Sequence, residues 1–191
     1  MLDDLDPRIA AAFEAALTRL ERAGARLQRG PLPEAAEALD VATHKGGIVN
    51  TEGYAVWGEA IEADPEAMFP HILARFRSGK GIRADQIDAA RIAFHRLNGA
   101  YCTRTAGFDA VLAPTTPNLP PPVERLMNDD AFYAAQNMAA LRNTRIGNLL
   151  GLSALTVPTG EPACGLMLQG HPRAEARLLR IGRAVELALG S

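Results

Sequence analysis

Three short apolar runs break a chain that is otherwise patterned at helical spacing. Phe108 to Ala113 is apolar almost throughout and is stopped by Pro114. A run of that length bounded by a proline reads as a buried strand. Ser153 to Val157 and Cys164 to Gln169 read as two more. Helical segments precede and separate these runs, so the fold class is α/β, a lobe in which helices cover a sheet, and not a helix bundle.

The helical segments carry their own start and stop signals. Asp6-Pro7 opens the first, with Asp as N-cap and Pro at the first helical position. Ile9, Phe13, Ala16, Leu17 and Leu20 follow at helical spacing, and Gly24 supplies a left-handed end. Ala25 to Gln28 is compatible with a short strand. A second helical stretch starts at Glu34 and is expected to break or bend at Gly46-Gly47 and Gly53. Met68 to Phe76 reads as a short amphipathic helix. Ala84 to Arg104 is the clearest helix, with Ile87, Ala90, Phe94, Leu97 and Tyr101 in one stripe. Asn118 to Val123 is too proline-rich for regular structure. Asn128 or Asp129 caps a helix expected to reach about Arg142, and Pro172 starts a final one with Leu178, Ile181, Val185 and Ala188 on one face. The chain reads as a single partial domain over 1–191, mainly helical in 1–107 and strand-containing in 108–191.

Composition narrows the function classes. The net charge of -2 gives no field to recruit nucleic acid or an anionic membrane surface. No stretch approaches the ~20 apolar residues of a membrane span, and no N-terminal run reads as a signal peptide. Cys102 and Cys164 fit no metal or redox spacing and read as buried free thiols. These features predict a soluble cytoplasmic protein.

No residue pattern here makes a nucleophile. The chain has Ser78, Ser153 and Ser191 as its serines and Lys45 and Lys80 as its lysines. An activated serine needs a base in hydrogen-bond reach and donors aimed at the developing oxyanion. Gly151-Leu-Ser-Ala-Leu155 is not a nucleophile elbow, and Ser153 reads as a strand-entry residue. Lys45 is the lysine more open to partial burial; Lys80 lies between glycines. Ser78-Gly-Lys-Gly81 lacks the first glycine and the Ser/Thr of a phosphate loop and reads as a linker. His44, His71, His95 and His171 have no metal-site spacing, although Asp40 lies one turn before His44. Asp129-Asp130 reads as a helix cap with its dipole partner. A thiol nucleophile at Cys102 or Cys164 is a further alternative.

In their order and spacing, several short elements add up to a resemblance. Glu52-Gly-Tyr-Ala55 comes first, then Ile72 to Arg75 followed by Gly79-Lys-Gly-Ile82. Phe108-Asp-Ala-Val-Leu-Ala-Pro-Thr-Thr-Pro117, Asn148-Leu-Leu-Gly151 and Leu155-Thr-Val-Pro158 complete the set. Together they resemble the C-terminal part of the amidase signature family, serine hydrolases that cleave carboxamides through a Ser–Ser–Lys arrangement. The resemblance implies a mixed sheet flanked by helices, a small amide as substrate and no cofactor. It implies that the catalytic serines and lysine lie in sequence ahead of Met1, so no catalytic role passes to a residue of this chain. The matching motifs make Pro114, Thr115, Thr116, Pro117, Asn148 and Gly151 the candidate substrate-pocket residues, placed at strand ends. The turn Gly160 to Cys164 is shorter than the resemblance predicts. Strand edges without neighbours predict a homo-oligomer or the need for the missing N-terminal half. The alternative is a non-catalytic partner subunit or a degenerate relative.

Overall fold

The computed structural model describes residues 1–44 and 47–190. The expectations for Lys45, for a break at Gly46 and for Ser191 fall outside the described residues. The helices are α1 (Pro7–Arg22), α2 (Pro33–His44), α3 (Ile48–Ala63), α4 (Pro70–Arg77), α5 (Ala84–Thr105), α6 (Val123–Asn128), α7 (Asp130–Leu149) and α8 (Glu175–Leu189). The strands are β1 (Val111–Pro114), β2 (Ser153–Pro158) and β3 (Gly165–Gly170).

The three strands form one antiparallel sheet in the order β1-β3-β2. Val111 faces Gln169 and Pro114 faces Leu166; Ser153 faces Gly170 and Pro158 faces Gly165. Thus β1 and β2 run in the same direction on either side of β3, and both are edge strands.

Two clusters make the core. Phe13, Leu17 and Leu20 of α1 pack with Leu178, Val185 and Leu189 of α8 against Val157, Leu166 and Leu168. This buries one sheet face. Ala38 and Val41 of α2, Phe94, Leu97 and Tyr101 of α5, and Ile146 and Leu150 of α7 form the second cluster, which reaches Val111. The stripes expected for α1 and α8 are the faces that pack. Glu34, 5% exposed, ties α2 to α5 by accepting from Arg104 Nε at 2.9 Å.

Local signals account for most helix ends. Asp6 accepts from the Arg8 amide at 2.8 Å, and Asp129 accepts from the Phe132 amide at 2.9 Å. Gly24 takes φ +97, where a side chain would be strained. Other boundaries move. Ala25 to Gln28 forms no strand, and β1 begins at Val111, after a bend at Asp109. The second helical stretch is two helices, and Gly53 lies inside an unbroken α3, where Phe76 packs over it. Helix α7 runs on to Leu149, α8 begins three residues later than Pro172, and α6 adds a short helix at the end of the proline-rich segment.

Candidate functional site

The end of β1 is the most built polar surface on the sheet. Thr115 continues the ladder, its amide donating to the Gly165 carbonyl at 2.9 Å. Thr115 Oγ1 and Thr156 Oγ1 lie 3.1 Å apart across Gly165 of the central strand. A Cβ on Gly165 would come within 2.7 Å of both threonine side chains, so only glycine leaves this shelf open. The register explains the grouping: Thr115, Gly165 and Thr156 alternate onto one face, opposite the α1/α8 core.

The loop after β1 is tied down at each step. The Pro114 carbonyl accepts from Asn143 Nδ2 at 2.8 Å, and the Pro117 carbonyl accepts from the Asp6 amide at 2.8 Å. Thr116 Oγ1 donates to the Asn118 carbonyl at 3.2 Å. Asn118 Nδ2 donates to Gln136 Oε1 of α7 at 2.8 Å, leaving the buried Asn118 Oδ1 without a partner. The backbone from Pro114 to Pro117 is therefore anchored at both ends, by Asn143 of α7 and by the Asp6 amide before α1.

Asn148 and Gly151 do not join it. They precede β2, and β2 begins beside Gly170, at the opposite end of the sheet from Pro114. Gly151, at φ +61, ends α7: Leu152 donates its amide to the Gly147 carbonyl at 2.9 Å, and Asn98 Nδ2 holds the Leu150 carbonyl at 2.6 Å. Along β3 the two loops are offset from Leu166, opposite Pro114, to Gly170, opposite Ser153, about 13 Å. Thr156, Gly165, Asn118 and Gln136 sit at the Pro114 loop; Thr156 belongs to the Leu155 to Pro158 element but is not among the pocket candidates. The register of an antiparallel hairpin was the signal that could have found Thr156 and Gly165.

The serines are structural. Ser153 Oγ accepts from the Ala174 amide at 3.0 Å and donates to Glu175 Oε1 at 3.0 Å, at the start of α8. It works as a cap from outside the helix. Replacing Ser153 by Ala should cost about 1 kcal/mol in urea unfolding. A change below 0.3 kcal/mol would contradict that role. Ser78 Oγ donates to the Arg75 carbonyl at 2.7 Å and accepts from Asn50 Nδ2 at 3.0 Å. Among the described residues, neither serine hydrogen-bonds to a lysine or a histidine.

The other titratable groups are placed as packing or surface partners. Lys80 lies over the Tyr54 ring at 5.8 Å. His71 stacks on Tyr133 at 4.2 Å and meets Asp130 at 3.2 Å. His171 Nε2 is 2.9 Å from Thr105 Oγ1, and His44 Nδ1 is 3.0 Å from Asp40. Burial pushes the Cys102 and Cys164 thiols up, away from the thiolate that a cysteine nucleophile needs. Among the described residues, no three His, Cys, Asp or Glu side chains cluster to hold a metal. Among the described residues, no helix is long and apolar enough to cross a membrane.

Comparison with known proteins agrees with this architecture. The family model Amidase matches residues 1–179. The chain is 37% identical over 192 residues to 2-amino-5-chloromuconic acid deaminase of Comamonas testosteroni, covering 98% of this chain and 41% of that protein. It is 30% identical to an amidase of Pseudomonas putida, covering 97% of this chain and 40% of the relative. The chain thus spans about two fifths of the length of the curated relatives it matches. Among solved structures, an amidase superposes with a TM-score of 0.73 at 20% identity, over 96% of this chain and 42% of that one. Kluyveromyces lactis allophanate hydrolase superposes at 0.75 and 19% identity, over 96% of this chain and 30% of its own. These likenesses fix the fold as that of amidase-signature proteins, and on the family match this chain belongs to the amidase family.

Proposed function

We propose that this chain is the C-terminal scaffold and pocket wall of a carboxamide C–N hydrolase, inactive alone. The nucleophile comes from the portion of the fold that the relatives carry beyond the matched region. The observation that carries this reading is the state of the described serines: Ser78 donates to the Arg75 carbonyl, Ser153 caps the start of α8 between the Ala174 amide and the Glu175 carboxylate, and among the described residues neither hydrogen-bonds to a lysine or a histidine. Pro114 to Pro117, with Thr156, form the wall toward the substrate. Their hydroxyls shape the pocket and bind the amide, and they transfer no proton. The substrate is a small amide. Assembly proceeds through the open sheet edges, either with the rest of an amidase polypeptide or between copies of the chain. The free thiols of Cys102 and Cys164 favour a reducing, cytoplasmic setting.

A panel of short-chain amides, aryl amides and ureido acids tests the reading. The purified chain is expected to give no turnover above the buffer rate. Hydrolysis of any of them by the chain alone would refute it.

A further inference from the structure

Among the arginines, two stand apart. Most meet a carboxylate, as Arg77 meets Glu62 and Arg104 meets Glu34. Arg19 and Arg142 hold main-chain carbonyls instead. Arg22, Arg26, Arg173 and Arg180 stand in solvent. Arg75 of α4 and Arg145 of α7 are half-buried, and among the described residues neither side chain makes a hydrogen bond or an ion pair. A guanidinium carries five N–H donors and a fixed charge, so withdrawing it from water without an acceptor is costly.

The two belong to one joint. Helix α4 lies against α7 through His71, stacked on Tyr133 at 4.2 Å, and through Phe69, edge-on to the same ring at 5.8 Å. Arg75 is one turn on from His71, on the same side of α4. It comes within electrostatic reach of Arg145: burial first and the Arg75 charge second pull the Arg145 pKa below its ordinary value, and no carboxylate raises it. Asp130 is the one carboxylate in the two helices. It meets His71 at 3.2 Å and stands about 22 Å before Arg145 along α7. Two like charges therefore share a partly dry joint with no counter-charge from either helix.

We propose that Arg75 and Arg145 together bind one carboxylate of a small organic acid. The planar fork of a guanidinium matches the two oxygens of a carboxylate, and the added negative charge offsets the repulsion between the two arginines. A phosphate dianion fits less well. Phosphate sites draw on backbone N–H groups at helix N-termini. Arg75 instead lies in the last turn of α4 and Arg145 in the C-terminal third of α7, where the helix dipole is negative. The carboxylate comes either from a free organic acid or from an acid group carried by the amide itself. The second source rests on the proposed function; the site does not.

The test titrates the chain with butyrate, with succinamate and with the neutral succinamide, reading the arginine Nε–Hε resonances by NMR. Butyrate and succinamate should saturate with a Kd on the order of 1 mM, and succinamide should bind at least about tenfold more weakly. Arg75→Gln and Arg145→Gln should each weaken butyrate binding at least about tenfold, and Arg180→Gln, in solvent, less than about twofold. Each of the first two removes one of two like charges, so their urea midpoints without ligand should equal or exceed that of the parent. Should either fail to fold, Arg145→Lys keeps the charge and loses the fork, and should still weaken binding at least about threefold. Succinamate at least about threefold tighter than butyrate assigns the carboxylate to the amide, and equal affinities assign it to a free acid; both support the site. Turnover of succinamate by the chain alone refutes the proposed function and leaves the site standing. Absence of saturation by either carboxylate, binding that ignores both Gln variants, or phosphate that binds more tightly than butyrate overturns the site.

Discussion

Gly79→Ala is expected to destabilise the chain by about 3 kcal/mol, at the upper end of what overpacking costs. Gly79 is buried where the turn after α4 crosses the first turn of α3. A Cβ there would run into the Asn50 carbonyl and lie 2.6 Å from the Thr51 nitrogen. Both obstacles are backbone, which cannot rotate away as a side chain would. The crossing is also fixed by Asn50 Nδ2 donating to Ser78 Oγ and by Arg77 pairing with Glu62 at 2.6 Å. The substitution must therefore push the α3–α4 hairpin apart. Urea unfolding followed by circular dichroism reads the loss. A stability unchanged to within about 0.5 kcal/mol, the resolution of such data, would show that the crossing yields. The same contact explains the glycine in Ser78-Gly-Lys-Gly81, which has nothing to do with phosphate.

The second large effect is expected at Asn143. Its side chain is fully buried; Nδ2 donates to the Pro114 carbonyl at 2.8 Å and to the Met1 carbonyl at 3.1 Å. Asn143→Asp keeps the shape and turns both donors into acceptors that face carbonyls. At neutral pH this buries a carboxylate whose one donor is Arg142 Nε, 3.4 Å from the present Asn143 Oδ1, and orphans two acceptors, with an expected cost of about 3 kcal/mol. The introduced carboxyl is held above its unfolded pKa by burial, so the penalty is fully present at neutral pH and shrinks as pH falls toward the unfolded value near ~4. Unfolding at pH 7 and pH 4 checks the sign. Equal destabilisation at both pH values would contradict the assignment. Because Asn143 holds the end of β1, this substitution should also loosen the Pro114 wall.

Elements defined by one-sided burial were legible in the sequence. Ile9, Phe13, Ala16, Leu17 and Leu20 repeat at helical spacing, and all five are buried. What escaped depends on partners distant in sequence. Helix α7 passes through Gly147, a residue that disfavours helix locally. The structure keeps it because Ala154 and Gln169 of the sheet come within 3.9 Å of where its Cβ would stand. Tertiary packing overrides propensity there, so the helix looked shorter than it is. Ala25 to Gln28 fails in the opposite sense: its composition suits a strand, but a strand needs a neighbour. At the site, the Pro114 loop was visible as a strand stopped by proline. The place of Asn148 and Gly151 was not, because it depends on which way β2 runs beside β3. Thr156 and Gly165 matter through register alone.

The central claim is that this chain shapes a pocket and attacks nothing. It is tested most directly by exposing the purified chain to a fluorophosphonate, which labels activated serines, and mapping adducts by mass spectrometry. The account predicts no adduct on Ser78 or Ser153 beyond that seen in the urea-unfolded chain. Stoichiometric labelling of either serine in the folded protein, lost on unfolding, would contradict it.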